Sequence, residues 1–252
     1  MARPPSWADS WRRGPRRSTC PGPGSPRVAT VPDKRTSKAT QTRATIVDAA
    51  MTLFRAGGYD ATTMRAIADE AGVSLGNAYY YFSGKEELVQ AFYDQIQVEH
   101  AAAAESAYAT PVFAERLRAV MESFIDVAEP FHDFGGQFFS NAADPRSPLS
   151  PFSEESAPAR EASTALMRRA VEGSDLRVAP ALREELPDLL WLLHMGVVLF
   201  WVYDDSAGQR RTRTLVAGLV PIVDRSIRLT RLPLVRGLVD DGLGLVRQLR
   251  GA

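Results

Sequence analysis

Cys20 is the only cysteine in the 252-residue chain. An internal disulfide and a cysteine-based metal site are therefore excluded, and such a composition suits a reducing, cytoplasmic setting. Histidine is almost as scarce: His100, His132 and His194 are scattered without metal-ligand spacing. Net charge is absent, with 30 basic against 30 acidic residues, so electrostatics must be read locally. The longest apolar run, Leu189–Tyr203 (LLWLLHMGVVLFWVY), is interrupted by a histidine. It falls short of the ~20 residues that a membrane-spanning helix needs. It reads as a buried or interface helix, and no membrane partner is expected. Alternation of the kind that marks strands never persists beyond a few residues. Gly135-Gly136 lacks the strand–turn–helix context of a phosphate loop. With no nucleophile elbow or activated thiol either, the reading is of a protein that is not an enzyme, with no catalytic residue, metal or cofactor.

Hydrophobic residues make up 45% of the chain, enough for one or two globular domains. Residues 1–37 differ from the rest. They are rich in Pro, Gly, Ser and Arg without a periodic apolar face, and cannot offset their own ordering entropy. Two readings stand: a disordered tail, or a basic arm for a polyanion. Beyond Lys38 the pattern is helical. Ile46, Ala50, Leu53 and Phe54 share one helix face, ended by Gly57-Gly58. Thr62-Thr63 offers an N-cap to a second helix carrying Met64, Ile67, Ala68 and Ala71. After Gly72, Ser74 opens a third, short helix reaching Tyr81 or Phe82. Ser83, with Glu86 three residues on, reads as a capping box for a fourth, whose apolar positions are Leu88, Val89, Phe92 and Ile96.

The pair Thr63–Ala71 and Ser74–Tyr81 has the form of a helix-turn-helix, within a domain spanning 38–98 and a motif spanning 61–80. In the segment GVSLGNAYYYF, Val73 and Ala78 are small and apolar enough to pack inward, and Phe82 can seal the rear. Ser74, Leu75, Gly76 and Asn77 then occupy the first turn, which in such a helix meets base edges. Asn can bond an adenine edge, Leu can touch a thymine methyl, and Gly76 lets backbone approach. Tyr79 and Tyr80 follow at the helix flank, where a phenol can donate to phosphate oxygen, and because three adjacent tyrosines point three ways and cannot all be core, at least one hydroxyl needs solvent or a partner.

The run TTMRAIADEAGVSLGNAYYYFSGKEEL resembles the DNA-binding domain of the TetR family of transcriptional repressors. Thr62-Thr63, Ile67-Ala68, Ala71-Gly72-Val73-Ser74, Tyr79 with Phe82, and Lys85-Glu86-Glu87-Leu88 carry the likeness, and the preceding TRATIVDAAMTLFRAGGYDATT extends it to roughly 60 residues. Ala78 stands where the family commonly has Leu, and Tyr80 and Tyr81 where histidines are frequent. The resemblance implies an all-α fold: an N-terminal helix-turn-helix domain and a larger C-terminal helical domain, 99–252, for effector binding and dimerisation. It assigns phosphate contacts to Thr63, Tyr79, Tyr80 and Lys85, base contacts to Ser74, Leu75, Gly76 and Asn77, and a groove contact to Arg65. Thr63 as a plain N-cap and Lys85 as a solvated lysine are the competing readings. The implied function is a homodimeric repressor, released from a palindromic double-stranded operator by a small molecule. The alternative is a helix-turn-helix protein working through a protein partner with no effector.

Beyond residue 99 the expected helices are His100–Ala109, Val112–Pro130, Phe131–Ala142, Glu154–Glu172, Ala181–Asp204, Gln209–Thr230 and Leu234–Leu249, with 144–158 a surface loop. Leu189–Tyr203 is apolar nearly all round, so it needs cover on several sides. Its expected partner is Thr214–Ile227 through Leu215, Leu219, Ile222 and Val223, with Pro221 kinking that helix. Phe134, Phe138, Trp191, His194, Met195 and Val198 are the candidates for an apolar effector pocket, ordinary core being the other reading. The glycine pair 135–136 could open space there.

Overall fold

The computed structural model describes residues 34–132 and 146–232, together with positions 135, 142, 144, 237, 241, 242, 244 and 248. Among them every regular element is helical. The chain divides into compact units 1–44 and 45–252. The first contributes the polar start of α1 (Lys34–Gly57), which opens four residues inside the segment assigned to the tail. Lys, Arg, Gln and Ala are good helix formers, and the local sequence KRTSKATQTRA needs no apolar face to extend a helix begun elsewhere. Within this unit the Thr42 hydroxyl donates to the Lys38 carbonyl at 3.0 Å.

In the second unit the apolar face of α1 appears at once, with Ile46, Ala50 and Phe54 fully buried. Gly58 takes φ 84° and its N–H closes on the Phe54 carbonyl at 2.9 Å, ending the helix. α2 (Met64–Glu70) is capped by Thr63, whose hydroxyl accepts the Ala66 N–H at 3.2 Å. Gly72, at φ 68°, turns the chain, and the Val73 N–H bonds back to the Ala68 carbonyl at 3.0 Å. α3 (Leu75–Tyr81) then starts on Ser74, which accepts the Asn77 N–H at 3.1 Å. α4 (Lys85–Ala103) departs from expectation: Gly84 is its N-cap and makes no side-chain cap. The register is one residue later than read from Ser83. Glu87 therefore reaches back to the Ser83 N–H at 2.8 Å, while Glu86 accepts the Tyr59 hydroxyl at 3.1 Å. Ile67, Ala78, Phe82, Leu88, Val89 and Phe92 join α1 in one core, the head of the molecule.

α4 runs past His100, so the expected helix there is instead a tight 3-10 segment, Ala104–Ala109. α5 (Phe113–Ala128) passes into a 3-10 turn at Pro130. α6 (Ala157–Val171) starts three residues later than expected, on Pro158 in its first turn. α7 (Pro180–Val202) and α8 (Arg210–Leu229) follow. The expected helices Phe131–Ala142 and Leu234–Leu249 lie mostly outside the described residues.

α7 has 23 residues and is long and apolar enough to cross a membrane by length and composition, more than the apolar run alone suggests. One side of it nevertheless belongs to the core, while Leu192, Leu199 and Phe200 stay exposed. Leu182, Leu186, Leu190, Val197 and Trp201 are buried in the body, and the helix also buries Glu185 and His194. α7 and α8 do touch, and Leu219 and Val223 pack against the body core, but neither helix is the other's chief partner. α7 packs chiefly on α6, and α8 chiefly on α5. α8 buries Thr212, Val216, Val220 and Ile227, whereas Ile222 is 60% exposed. The true inward stripe lies one residue along from the chosen one, a rotation of about 100°. α8 runs unbroken through Pro221, and Arg118 Nη2 donates at 3.4 Å to the Ala217 carbonyl, for which Pro221 has no N–H to offer.

Two buried charges fasten the body. Arg116 on α5 donates to the carbonyls of Thr110, Tyr108, Arg169 and Glu172, the last at 2.6 Å, capping the C-terminal end of α6. Asp204 accepts from Ser206 through both N–H and hydroxyl, and from Thr212 through both, at 2.6–3.0 Å. It thereby ties the end of α7 to the start of α8. Burial pushes its carboxyl up, but these hydrogen bonds outweigh burial and hold it well below the usual carboxylate range.

Candidate nucleic-acid interface

α3 has two faces. Ala78 is fully buried, Phe82 just beyond is 1% exposed, and Val73 and Tyr81 pack against the head core. On the other face Ser74, Gly76 and Asn77 are exposed, as are Thr63 and Arg65 on the neighbouring helix. Tyr80 is 81% exposed and Tyr79 51%, and the Tyr80 ring stands edge-on to Tyr81 at 5.2 Å. Eight of the nine nominated contacts therefore reach solvent to some degree, although the Thr63 and Ser74 hydroxyls also serve as N-caps, accepting the Ala66 and Asn77 N–H groups. Leu75 comes only half out, because its side chain leans on the core. Lys85 is the exception. Its ammonium donates to the Tyr59 carbonyl at 2.7 Å and lies 4.4 Å from the Tyr59 ring centroid. A lysine so placed fastens the α1–α2 corner to α4.

The body holds an apolar cavity of about 590 Å³. Of the six residues nominated for a pocket, Trp191, Met195 and Val198 line it. Phe134 and Phe138 lie outside the described residues. His194 does not line it. It turns away from Met195 around α7 and is buried against Phe124 at 4.8 Å and His100 at 6.0 Å. Gly135 has Trp201 so close that a Cβ there would meet the ring at 3.3 Å. The glycine thus admits a neighbouring indole. The loop read as surface is a wall: Ser150, Pro151 and Phe152 line the cavity, held by Gln90 on the Pro148 carbonyl at 2.6 Å and Arg160 on Pro151 and Ser153.

Two family models match the chain. One, for bacterial regulatory proteins of the tetR family, covers residues 46–92, and the other, for tetracyclin repressor-like C-terminal domains, covers residues 116–245. The chain belongs to the TetR family. It is a transcriptional regulator by that membership, not an enzyme. The HTH-type transcriptional regulator TtgR of Pseudomonas putida is 43% identical over 63 residues, 25% of this chain and 30% of that protein. The similarity is thus confined to under a third of that relative's length. The TetR transcriptional regulator from Nitrosomonas europaea superposes with a TM-score of 0.56 at 21% identity, over 72% of this chain and 97% of that one. Thermus thermophilus FadR, solved in complex with lauroyl-CoA, gives 0.52 at 22%, over 71% and 92%. These likenesses establish the TetR fold.

Sequence reasoning missed most of the TetR cavity wall. In the sequence Phe92 and Ile96 signal only apolar positions of α4, and Trp201 continues the Trp191–Val198 stripe by one more step of three. Gln97, Arg160 and Ser163 carried no signal, since polar residues on helices default to solvent.

Proposed function

We propose that the protein is a homodimeric repressor that grips a palindromic DNA operator through α3 and lets go when a small molecule enters the body cavity. One observation carries the reading: α3 buries its apolar rear and leaves Ser74, Gly76, Asn77, Tyr79 and Tyr80 facing water. Backbone and side chains of the first turn read base edges, with Leu75 adding an apolar edge. Thr63, Tyr79 and Tyr80 bond phosphate, and Arg65 enters the groove from α2. Lys85 adds positive potential near the backbone while holding the head together. The protein acts in the cytoplasm, where the operator is accessible.

A single head makes few phosphate contacts, so pairing doubles them. Leu192, Leu199 and Phe200 of α7 and Tyr203 just beyond it, with Ile222 and Leu229 of α8, are large apolar side chains left exposed. A second copy packing on them across a two-fold axis covers this surface and sets two α3 helices one duplex turn apart, about 34–36 Å. Release follows from shared residues. Phe92, Ile96 and Phe131 line the cavity and belong to the head core, and the Arg55 guanidinium lies 5.2 Å from the Phe131 ring centroid. A ligand that favours one placement of these rings changes DNA affinity by its differential binding, typically ~1–3 kcal/mol.

Selection of bound sequences from random duplex DNA tests the reading. Asn77→Ala is expected to relax base preference at one position, at about 1–3 kcal/mol. Tyr79→Phe is expected to weaken binding evenly across sequences. Failure to enrich any duplex, with folded protein, refutes the proposal.

A further inference from the structure

The cavity has a chemical bias that the family assignment leaves open. Its wall is almost wholly apolar: Phe92, Phe124, Phe131, Trp191 and Trp201 supply rings from four segments. Among the described residues no Asp, Glu, Lys or His lines it, and Arg160 is its one charge. The Tyr93 phenol also lines it but donates to the Leu149 carbonyl at 3.3 Å, and burial raises its pKa so that it stays neutral. Arg160 is fixed rather than mobile. Its Nη1 bridges the Pro151 and Ser153 carbonyls at 2.8 and 2.9 Å.

A second observation points the same way. Two lining residues carry buried atoms that can donate and have no hydrogen-bond partner, Ser163 Oγ and Trp201 Nε1, while the unpaired Gln97 Oε1 is an acceptor that a carboxylate does not serve. Ser163 is 2% exposed and Trp201 4%. Leaving such groups unpaired costs about 1–3 kcal/mol each, a cost that a suitable ligand recovers. Ser163 stands three residues from Arg160 on α6 and so shares its face. The indole N–H can only donate, the hydroxyl can donate, and the guanidinium only donates. A cation brought here would lose its hydration and find, among the described lining residues, a positive neighbour with no carboxylate to balance it.

We infer that the cavity takes an apolar monocarboxylate, its hydrocarbon part among the aromatic rings and its carboxylate toward Arg160 and Ser163, and that it excludes cations. The inference rests on the cavity being the effector site, but binding is read without DNA, so the two can fail separately. Trp191 and Trp201 line the cavity, so ligand entry alters intrinsic fluorescence.

The test titrates full-length protein with decanoate, decanol and decylammonium below their micellar concentrations, following tryptophan emission and melting temperature. Decanoate is expected to bind about ten- to hundredfold more tightly than decylammonium, with decanol between. Arg160→Met is expected to bring decanoate down to the level of decanol, and Arg160→Lys, which keeps the charge, to preserve the order acid over amine. Ser163→Ala, which leaves the loop carbonyls capped, is expected to weaken decanoate by several-fold and decanol less. Equal or tighter binding of the amine, an Arg160→Met variant with unchanged decanoate affinity, or no response to decanoate overturns the inference. If decanoate binds and operator DNA is not released, the effector reading fails while this one stands.

Discussion

His194 offers a test of the body core that needs neither ligand nor operator. It is 1% exposed, wedged against Phe124 and the ring of His100. Burial first, and the neighbouring His100 second, bring its imidazole from the ordinary 6.5 down to about 3. The fold thus accommodates only the neutral ring. In the unfolded chain the same ring takes up a proton as pH falls through 6.5, whereas the folded protein resists until about 3. Stability declines wherever the unfolded state binds more protons. The contribution is therefore complete above 6.5 and drains away between 6.5 and 3. At pH 5.0 the chain lies 1.5 pH units below the unfolded value, which at about 1.36 kcal/mol per unit amounts to roughly 2 kcal/mol. His100, lowered by burial, adds to the same slope. Asp48 opposes it: burial, then Glu99, push its carboxyl up to about 6, so that group gains stability as pH falls. Comparison of variants isolates His194 from both. Urea unfolding of the parent and of His194→Leu at pH 8.0 and 5.0 is expected to show the variant gaining about 2 kcal/mol relative to the parent on acidification. His194→Gln, which also cannot charge, is expected to show the same shift whatever its stability at pH 8.0. Parallel pH profiles for parent and both variants would mean that the imidazole titrates normally in the fold, and the argument would fail.

Other outcomes follow from single contacts. Asp204→Ala, which frees the Ser206 and Thr212 donors at the start of α8, is expected to cost about 2 kcal/mol or more in urea unfolding at neutral pH. Because the carboxyl sits below its ordinary 3.8, that loss is expected to shrink only as pH falls to 3.8 and beneath. Arg116→Met leaves four backbone carbonyls without their shared donor, and a drop of about 3 kcal/mol in the same assay is expected. Lys85→Met removes the ammonium from Tyr59 and is expected to lower stability by about 1 kcal/mol. If that residue also neutralises a phosphate, the salt dependence of operator binding falls by about one ion in the same variant.

The head was legible because its signals are local. Thr63 and Ser74 sit one residue before an apolar-periodic run, and each caps its helix as a hydroxyl at that position should. Gly58 and Gly72 stop helices by taking positive φ. Where the local signal was ambiguous by one residue, at Ser83 and Gly84, the capping moved from Glu86 to Glu87, because Tyr59 claims Glu86 from 27 residues away. The body was less legible because its decisions are tertiary. On α8, Leu215-Leu219 and Val216-Val220 are both apolar pairs four apart. Only the contact with α5 selects the second as the buried stripe. His194 fell on the correct helix and the wrong side, since a stripe three or four residues wide cannot say which edge faces space and which faces Phe124. Arg160 and Ser163 could not be found from sequence at all. Their role depends on a loop of prolines and serines folding back as a wall.

Cavity and head share Phe92 and Phe131, so they are not separate devices. Phe131 is 8% exposed, stacks edge-on to Phe92 at 4.7 Å, and has the Arg55 guanidinium over its ring. Phe92 in turn is packed into the core that supports α3 from behind. Close-packed interiors respond to a displaced ring by moving to another discrete packing rather than by deforming smoothly. A molecule filling the cavity must therefore either leave Phe92 and Phe131 where they are, and have no effect on α3, or shift them and alter its support. The size of any functional response is set by how differently a ligand fits those two packings, not by how tightly it binds overall.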